Sequence, residues 1–348
     1  MSRSARPGYG EGSLEAHTLE RSQPTAATAV PYRLGFAVKV LGAGGLPVAD
    51  TRRWQSGPHL RRSIELLWPA FDYLDRINVR VYRLSSQTIP YGTHPDLPDF
   101  DFRRQLDEVA DELETLAEKA RELGLRLSTH PGQYTVLNAQ DPAIVDLALA
   151  EVEQHAALLD RLGAGPEGVI VVHVGGAYGN RAEALDRWAF AWDRLSDRAR
   201  ARLAVENDEH TFSTHDVLAL HARTGVRVVV DIHHHRIHPG NASMPIRDAL
   251  VAAFPTWAPG VRPKVHLSSA RTMLETGASS KAKVPPLRNH ADLVLPWDLE
   301  AVVTAAPGPV DVMLEAKAQD LALLELRRTL GVTRPDLAAA EERGQRSL

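Results

Sequence analysis

The feature that most constrains the fold is a repeated alternation, from Leu34 onward, between short runs rich in β-branched residues and longer amphipathic segments. Such alternation is typical of βα units around a parallel sheet. Eight strands are predicted, at residues 34–40, 79–84, 125–129, 169–174, 203–206, 226–231, 265–268 and 310–314. Because no glycine-rich dinucleotide loop follows the first strand, the eight units favour an α/β fold of the single closed (β/α)8 TIM-barrel type over an open sheet.

The barrel is expected to occupy residues 32–333 as one catalytic domain. Residues 1–31, rich in Ser, Ala, Thr, Gly and Pro, are predicted to form a disordered N-terminal tail, and residues 334–348 a C-terminal tail. The clearest helix is predicted over residues 102–123, where apolar residues recur at helical spacing and Gly124 supplies the stop.

Composition excludes several classes of site and location. The chain has no cysteine, which excludes disulfides, thiolate zinc sites and a cysteine nucleophile. The net charge of −4 argues against a surface that binds nucleic acid everywhere, although acidic residues beneath bound cations can present a locally positive face. Neither a secretory signal nor a run of roughly 18 apolar residues is found, so we expect a cytoplasmic protein without membrane contact.

Residue types that bind metal ions stand at the ends of predicted strands three to eight. They are His130, His173, Glu206, Asp231, His266 and Glu315. Each follows an apolar run, so each would project into the mouth of the barrel, where the chemistry of such folds lies. One such residue alone is more often structural, but six together without cations would leave several buried groups unpaired. Imidazole and carboxylate together suit Zn, Mn or Fe, and the sequence therefore predicts a cluster of divalent cations.

Further histidines lie on the same predicted rim. His290, in RNHADL, is favoured as a ligand, whereas for His94, in GTHPDLP, a structural role is nearly as good an interpretation. In the triple of His233, His234 and His235, alternation along an extended chain would send neighbours to opposite sides, so the three should not all be ligands.

Six motifs in order resemble the UV damage endonucleases: LSTHPGQYTVL, VVHVGGAYG, LAVENDE, VVDIHHHRIHPG, PKVHLSS and DVMLEAK. The resemblance covers about residues 34–317. It implies a barrel related to endonuclease IV and to xylose-isomerase-like folds. It also implies that the protein cuts duplex DNA immediately 5′ of ultraviolet photoproducts, and that some members accept abasic sites. Manganese is the implied cofactor, as two to three ions, with Zn²⁺ or Mg²⁺ as alternatives.

The resemblance also implies a division of the ligands among three ions. His130, His173 and Glu206 would serve one ion; Glu206, Asp231, His266 and Glu315 would surround a second; His234 and His290 would hold a third. Glu206 would thus be a bridging ligand and the principal catalytic residue.

Other positions gain roles from the resemblance alone. Gln133 and Tyr134 match a pair that probes the duplex and fills the space of extruded damaged nucleotides, a task that suits an aromatic ring and an amide. As an alternative, Tyr134 caps the barrel mouth. Lys264 matches an active-site lysine that would contact phosphate or tune the metals; without the resemblance it reads as solvent-exposed. Phe36 and Val40 depart from the family's usual Tyr and Asn, so any DNA contact made there is in doubt.

Two other functions stay open on the sequence. A metal-dependent sugar isomerase or epimerase would need only Glu206, Asp231, His266 and Glu315, and a non-catalytic DNA-damage binding protein would use metal for structure alone. The expected partner is damaged duplex DNA, with no obligatory protein partner. Basic residues after strand seven are equally well a phosphate-contacting patch or a solvated loop: Arg271, Lys281, Lys283 and Arg288.

Overall fold

The computed structural model describes residues 29–240, 243–272, 275–276, 282–283 and 285–346. Eight parallel strands form the predicted barrel, which confirms the fold class. They are β1 (Tyr32–Ala37), β2 (Val81–Arg83), β3 (Arg126–Ser128), β4 (Ile170–His173), β5 (Leu203–Glu206), β6 (Arg227–Asp231), β7 (Lys264–Leu267) and β10 (Val310–Leu314). A short antiparallel pair, β8 (Glu275–Thr276) and β9 (Ala282–Lys283), lies in the loop after β7.

The strands follow the order β3-β2-β1-β10-β7-β6-β5-β4, and the last is joined back to the first by a single bridge. Thr129, directly after β3, pairs with Ile170 of β4. Its amide donates to the carbonyl of Val169 at 3.0 Å, and its carbonyl accepts from the amide of Val171 at 3.0 Å. The barrel is therefore closed, and the carboxyl ends of all eight strands meet at one mouth.

Helices surround the barrel, because the outward side chains of the strands are apolar and need cover. They are α1 (Leu60–Arg76), α2 (Phe102–Glu108), α3 (Ala110–Glu122), α4 (Pro142–Arg161), α5 (Arg181–Arg194), α6 (Asp197–Arg202), α7 (Thr214–Thr224), α8 (Ile232–Ile237), α9 (Ile246–Ala253), α10 (Pro296–Ala305), α11 (Gln319–Thr333) and α12 (Pro335–Arg346). Within the described ranges, no helix has the length and apolar character needed to cross a membrane.

The interior of the barrel is charged at the end opposite the mouth. Asp311 of β10 is fully buried and accepts hydrogen bonds from Arg33 at 2.5 and 2.7 Å and from Arg126 at 2.6 Å. Arg262 approaches the same carboxylate at 3.4 Å. Burial raises the pKa of Asp311, but Arg126 and Arg33 outweigh that effect and the net shift is downward. We name this ring of Arg33, Arg126, Arg262 and Asp311 the ionic floor.

The long helix predicted over residues 102–123 is two helices in the structure. The backbone leaves helical geometry at Val109, with φ −129°, between α2 and α3. The carbonyl of Glu108, which a continuous helix would use internally, instead accepts a hydrogen bond from Arg61 at 2.7 Å. A contact between distant segments thus overrides a continuous helical pattern.

The predicted tail boundaries are corrected at both ends. Residues 335–346 are not a tail but the helix α12, whose Leu337 and Ala340 are fully buried against the barrel. The hydroxyl of Tyr32 in β1 donates to the carbonyl of Leu337 at 3.0 Å. At the other end, Ala29 is already buried and the amide of Val30 bonds to Val303, so the ordered part begins before residue 32. The rest of the predicted N-terminal tail, residues 1–28, lies outside the described residues.

Candidate metal centre

A first group of candidate ligands comes from three neighbouring strands at the mouth. Oε2 of the buried Glu206 lies 3.3 Å from Nε2 of His130 and 4.0 Å from Nε2 of His173. Nδ1 of His130 lies 3.1 Å from the carbonyl of Pro131, a contact that favours protonation at Nδ1 and leaves the Nε2 lone pair facing the cluster. Burial lowers the pKa of His130, which also favours the neutral, ligand-competent imidazole.

A second group shares Glu206 with the first. Its other members, Asp231, His266 and Glu315, offer ligand atoms that all lie within 4.8 Å of one another. Nδ1 of His266 lies 2.7 Å from Oε1 of Glu206 and 3.1 Å from Oε1 of Glu315. The guanidinium of Arg83, at the end of β2, bonds to the same oxygen of Glu315. Arg83 was missed by the sequence analysis, although it lies at the interior position next after Val81 on its strand.

His234 and His290 form a third candidate site. Their Nε2 atoms lie 3.3 Å apart, while Nδ1 of His234 contacts the carbonyl of Asn207 at 3.2 Å and Nδ1 of His290 contacts the carbonyl of Glu315 at 2.8 Å. If both Nδ1 atoms donate to these carbonyls, two Nε2 lone pairs face each other, and either a proton or a cation must lie between them. Glu209, another residue missed from the sequence, brings Oε2 to 3.7 Å from Nε2 of His234.

Of the histidine triple, only His234 brings a ring nitrogen to the Nε2 atom of His290, whereas the ring of His233 packs against the ring of His290 with 5.3 Å between centroids. The predicted extended geometry is wrong, because the three residues belong to the short helix α8. His235 uses both ring nitrogens, one with the Thr214 hydroxyl and one with the Met244 carbonyl, each at 2.8 Å. His233 contacts the carbonyl of Arg288 at 3.3 Å. His233 and His235 therefore hold neighbouring loops through their backbone carbonyls. The choice of His234 agrees with the geometry, but the reason is its position on the helix α8 and not alternation along a strand.

Several buried polar atoms of the cluster lack hydrogen-bond partners among the described residues, which tests whether the site suits cations. They include Oδ2 of Asp231, Nε2 of His266 and Nδ1 of His173. A buried carboxylate oxygen without a partner is costly unless a cation compensates it. Two groups of three and four residues, each offering one nitrogen or oxygen atom, fit divalent cations held by imidazole and carboxylate.

The pKa shifts of Glu206, His266 and His234 show how strongly the charges in the cluster interact. Burial raises the pKa of Glu206, but His266 and His173 outweigh it and hold the pKa well below its usual range. Burial lowers the pKa of His266, whereas Glu206 and Glu315 raise it to a net value of about 9. For His234, burial lowers the pKa, and Asp231 with Glu206 raises it to about 9. The carboxylates thus favour positive charge at His266 and His234, which is also what a cation site requires.

Lys264 lies beneath the cluster, not at its surface. Its side chain is fully buried on β7, two residues before His266, and Nζ lies 2.6 Å from the hydroxyl of Ser128. Burial, with the nearby charge of Arg126, holds its pKa well below the usual range. The structure thus contradicts the solvent-exposed alternative. The phosphate contact that the resemblance implies stays a prediction. An influence on the metals stays a prediction.

The loop after His130 carries Gln133 and Tyr134 on the surface of the mouth. Tyr134 is 83% exposed, so it does not cap the barrel. Beside it lies a cleft of about 660 Å³ whose walls include Tyr91, Tyr178 and the exposed His94. Both wall tyrosines have positive φ, 55° and 50°, which is strained for a bulky residue. His94 lies on this cleft and is not among the grouped metal-ligand candidates.

The remaining sequence-based positions are not among the grouped metal-ligand candidates, or they lie outside the described residues. Phe36 is fully buried and packs on the ring of Tyr82 at 5.4 Å, and Val40 is also buried, so neither reaches the mouth surface. Of the predicted basic patch, Arg288 is exposed beside the cluster, Lys281 lies outside the described residues, and the side chain of Lys283 is not described.

Fold and site together define a class of protein, the (β/α)8 barrels with candidate metal-ligand groups at the mouth. The fold is shared with endonuclease IV from Thermus thermophilus, with a TM-score of 0.52 at 18% identity over 86% of this chain and 99% of that one. The chain belongs to the UV-endonuclease UvdE family, whose sequence model matches residues 61–339.

Individual relatives agree with this membership and confirm the resemblance seen in the sequence. The UV DNA damage endonuclease of Bacillus pumilus (strain SAFR-032) is 33% identical over 266 residues, 74% of this chain and 77% of the relative. That of Bacillus cereus (strain G9842) is 30% identical over 282 residues, 79% of this chain and 83% of the relative. The crystal structure of SacUVDE matches with a TM-score of 0.71 at 27% identity, over 86% of this chain and 98% of that one.

Proposed function

We propose that this protein is a DNA repair endonuclease that hydrolyses the phosphodiester immediately 5′ of ultraviolet photoproducts in duplex DNA with the aid of divalent cations. The observation that carries the proposal is the pair of ligand groups sharing Glu206, set beside the exposed Gln133–Tyr134 loop in a member of the UvdE family. Manganese is the proposed metal, with two to three ions, and abasic sites are proposed as further substrates.

The protein's own residues would hold and orient this chemistry. Glu206 would bridge the two groups, and the carbonyls of Pro131, Asn207 and Glu315 would fix the rings of His130, His234 and His290. When bound, divalent cations would supply a nucleophilic water at neutral pH and would neutralise charge on the phosphate and the leaving oxygen.

Recognition of the lesion is proposed for the loop and its cleft. Tyr134 would stack in place of nucleotides that leave the duplex, and Gln133 would hydrogen-bond the bases left without partners. The cleft of about 660 Å³, with Tyr91 and Tyr178 in its walls, is large enough for extruded bases and offers rings on which they can stack. Photoproducts distort the duplex and weaken pairing, so they lower the cost of extrusion.

The sugar isomerase alternative uses only the second ligand group. Nothing in that chemistry needs His130, His173, His234 or His290, and family membership supports a nuclease. An experiment distinguishes the nuclease from a non-catalytic DNA-damage binding protein, because a protein that uses metal for structure alone would not cut DNA.

The test is a nicking assay on a duplex with one photoproduct and a 5′ label. With Mn²⁺, the lesion strand should be cut immediately 5′ of the photoproduct, the undamaged duplex should stay intact, and chelator should stop the reaction. Glu206→Gln should abolish cleavage while leaving the fold intact by circular dichroism, and the matched change Glu153→Gln on α4 should leave cleavage normal. Near-normal cleavage by Glu206→Gln, or lesion binding without any nick, would refute the proposal.

A further inference from the structure

Most basic side chains that the structure describes have an ion pair, a hydrogen bond or an aromatic contact, and the exposed ones that have none lie at one end of the barrel. Within the described ranges, five exposed basic side chains have no ion pair, side-chain hydrogen bond or aromatic contact: Lys39, Arg53, Arg247, Arg288 and Lys317. They lie in loops that follow β1, β7 and β10 or in the first turn of α9, which follows β6. These segments share the carboxyl end of the barrel, so these five unpartnered cations are gathered at the mouth.

Two of these residues line a cavity that continues from the candidate metal centre. The cavity has a volume of about 570 Å³, and its basic lining residues are Arg83, Arg288 and Lys317. Glu315 belongs both to this cavity and to the second ligand group, and His290 belongs both to this cavity and to the third candidate site with His234. The exposed carboxylate of Asp292 lies on the same loop as Arg288, two residues after His290.

The acidic groups on the cavity wall are already engaged. Glu315 contacts Arg83 and His266, and Glu209 lies 3.7 Å from His234. Nε of Arg83 is buried and lacks a hydrogen-bond partner among the described residues. The cavity therefore offers donors and positive charge to an anion and keeps its carboxylates occupied.

The loop that carries Arg288 and the loop that carries Lys317 are hydrogen-bonded to each other and to the barrel. The carbonyl of Ala291 accepts from the amide of Lys317 at 3.1 Å, and the amide of Ala291 donates to Ser269 at 2.9 Å. His233 contacts the carbonyl of Arg288 at 3.3 Å. Gln319, also on the wall, has φ +51°, a strained backbone for a residue other than glycine. Such fastening holds charged groups in place before a ligand arrives.

We propose that this cavity binds one phosphate of the DNA backbone next to the phosphate that is cleaved. Arg288 and Lys317 contact this neighbouring phosphate directly, and Arg83 presents the inner wall of the subsite. The inference rests on the proposed function, because it assumes that duplex DNA is the substrate. It assigns a positioning role to residues that are not metal-ligand candidates: they fix the register of the strand over the cluster.

The first test is the salt dependence of binding. Affinity for a fluorescent lesion duplex is measured by anisotropy on a Glu206→Gln background, which prevents cleavage. Each lost phosphate contact should make the slope of log Kobs against log salt shallower by about 0.9. Because Arg288 and Lys317 share one phosphate, the double variant Arg288→Ala/Lys317→Ala should lose about 0.9, not twice that value. Arg328→Ala, which removes an exposed arginine paired with Glu325 on α11, should leave the slope unchanged.

The second test locates the phosphate. Methylphosphonate, which is neutral, replaces one phosphate at a time on either side of the cleavage position. The Glu206→Gln protein should lose roughly fivefold to tenfold in affinity at one position close to that site, and the double variant should be insensitive at that same position. Arg247→Ala, which removes another unpaired cation of the mouth outside the cavity, should keep the sensitivity at that position.

An unchanged salt slope in the double variant, or undiminished sensitivity to every methylphosphonate, overturns the subsite. The proposed function fails in a different way, because the wild-type chain would then not nick a lesion duplex in Mn²⁺. Nicking by the wild-type chain together with an unchanged slope in the double variant rejects the subsite alone.

Discussion

Replacement of Asp311 by asparagine isolates the energetic role of the ionic floor. One fully buried carboxylate accepts four hydrogen bonds from Arg33, Arg126 and Arg262, at distances between 2.5 and 3.4 Å. Asparagine keeps the shape but turns one acceptor oxygen into an NH₂ group that faces guanidinium donors. Loss of one partner from a buried ion pair costs about 3–5 kcal/mol. With three arginines left uncompensated, we expect the upper end, about 5 kcal/mol of unfolding free energy.

Equilibrium unfolding in urea, followed by circular dichroism, measures this loss. With a slope of about 3 kcal/mol per molar urea, the midpoint of Asp311→Asn should fall by about 2 M at pH 7. The matched control is Asp336→Asn, in which the same change removes an exposed pair with Arg334 and should cost less than about 1 kcal/mol. If the urea midpoints of Asp311→Asn and Asp336→Asn differ by less than about 0.3 M, the electrostatic reasoning is refuted.

The dependence on pH gives an independent check of the same cause. Because the folded protein lowers the pKa of Asp311, the ionised carboxylate stabilises the fold above its unfolded pKa of about 3.9. That stabilisation is lost as the pH falls through the lower folded value. The difference between wild type and Asp311→Asn should therefore be constant from pH 7 to 5 and should narrow below about pH 4. A difference that stays constant at low pH would point to packing and not to charge.

Three further changes test other parts of the molecule. In the metal-free protein the pKa of His266 is raised to about 9, so the stabilisation by this residue is full below about pH 6.5 and is lost as the pH rises through 9. The unfolding free energy in urea should decline by about 3 kcal/mol over that range, and His266→Gln should remove the decline. A flat wild-type profile would contradict this prediction. Tyr134→Ala should leave thermal unfolding nearly unchanged, because the side chain is exposed, but it should slow cleavage of a lesion duplex roughly tenfold or more. Tyr134→Phe keeps the ring and should retain activity. Equal cleavage rates for the two variants would argue against stacking. A Cβ at Gly344 would overlap the carbonyl oxygen of Tyr32, so Gly344→Ala should lower the unfolding free energy by about 1–3 kcal/mol. Gly331→Ala, in open space on α11, should be neutral or slightly stabilising. A larger loss of stability in Gly331→Ala than in Gly344→Ala would refute the contact.

The barrel and the grouping of its ligands followed from local sequence patterns. Strands such as VIVVH and DVMLE end in a ligand type, and parallel strands in a closed barrel bring their carboxyl ends together. Glu206 therefore lies between His173 and Asp231 in strand order as well as in space. The two multi-residue groups match the division among ions that the family resemblance implied, although the ligand roles themselves stay predictions.

What the sequence did not provide depends on contacts between distant residues. Arg83 ends a strand of three residues and reads as an ordinary exposed arginine until Glu315, from the other side of β1, is placed against it. Glu209 lies three residues beyond β5, where the path of the loop decides the direction of the side chain. Asp311 likewise gives no sign that three arginines will surround it, because each comes from a different part of the chain.

The packing of α12 on β1 has a consequence for the synthesis of the protein. The hydrogen bond between Tyr32 and Leu337 joins residues 305 positions apart. At typical translation rates, β1 leaves the ribosome roughly 15–60 s before the helix that covers it. During that interval the nascent chain exposes an unpaired strand edge, because β10, the other neighbour of β1, is also synthesised late. The barrel can close only after β10 and α12 have been synthesised. Until then the growing chain is a substrate for chaperones and is exposed to aggregation.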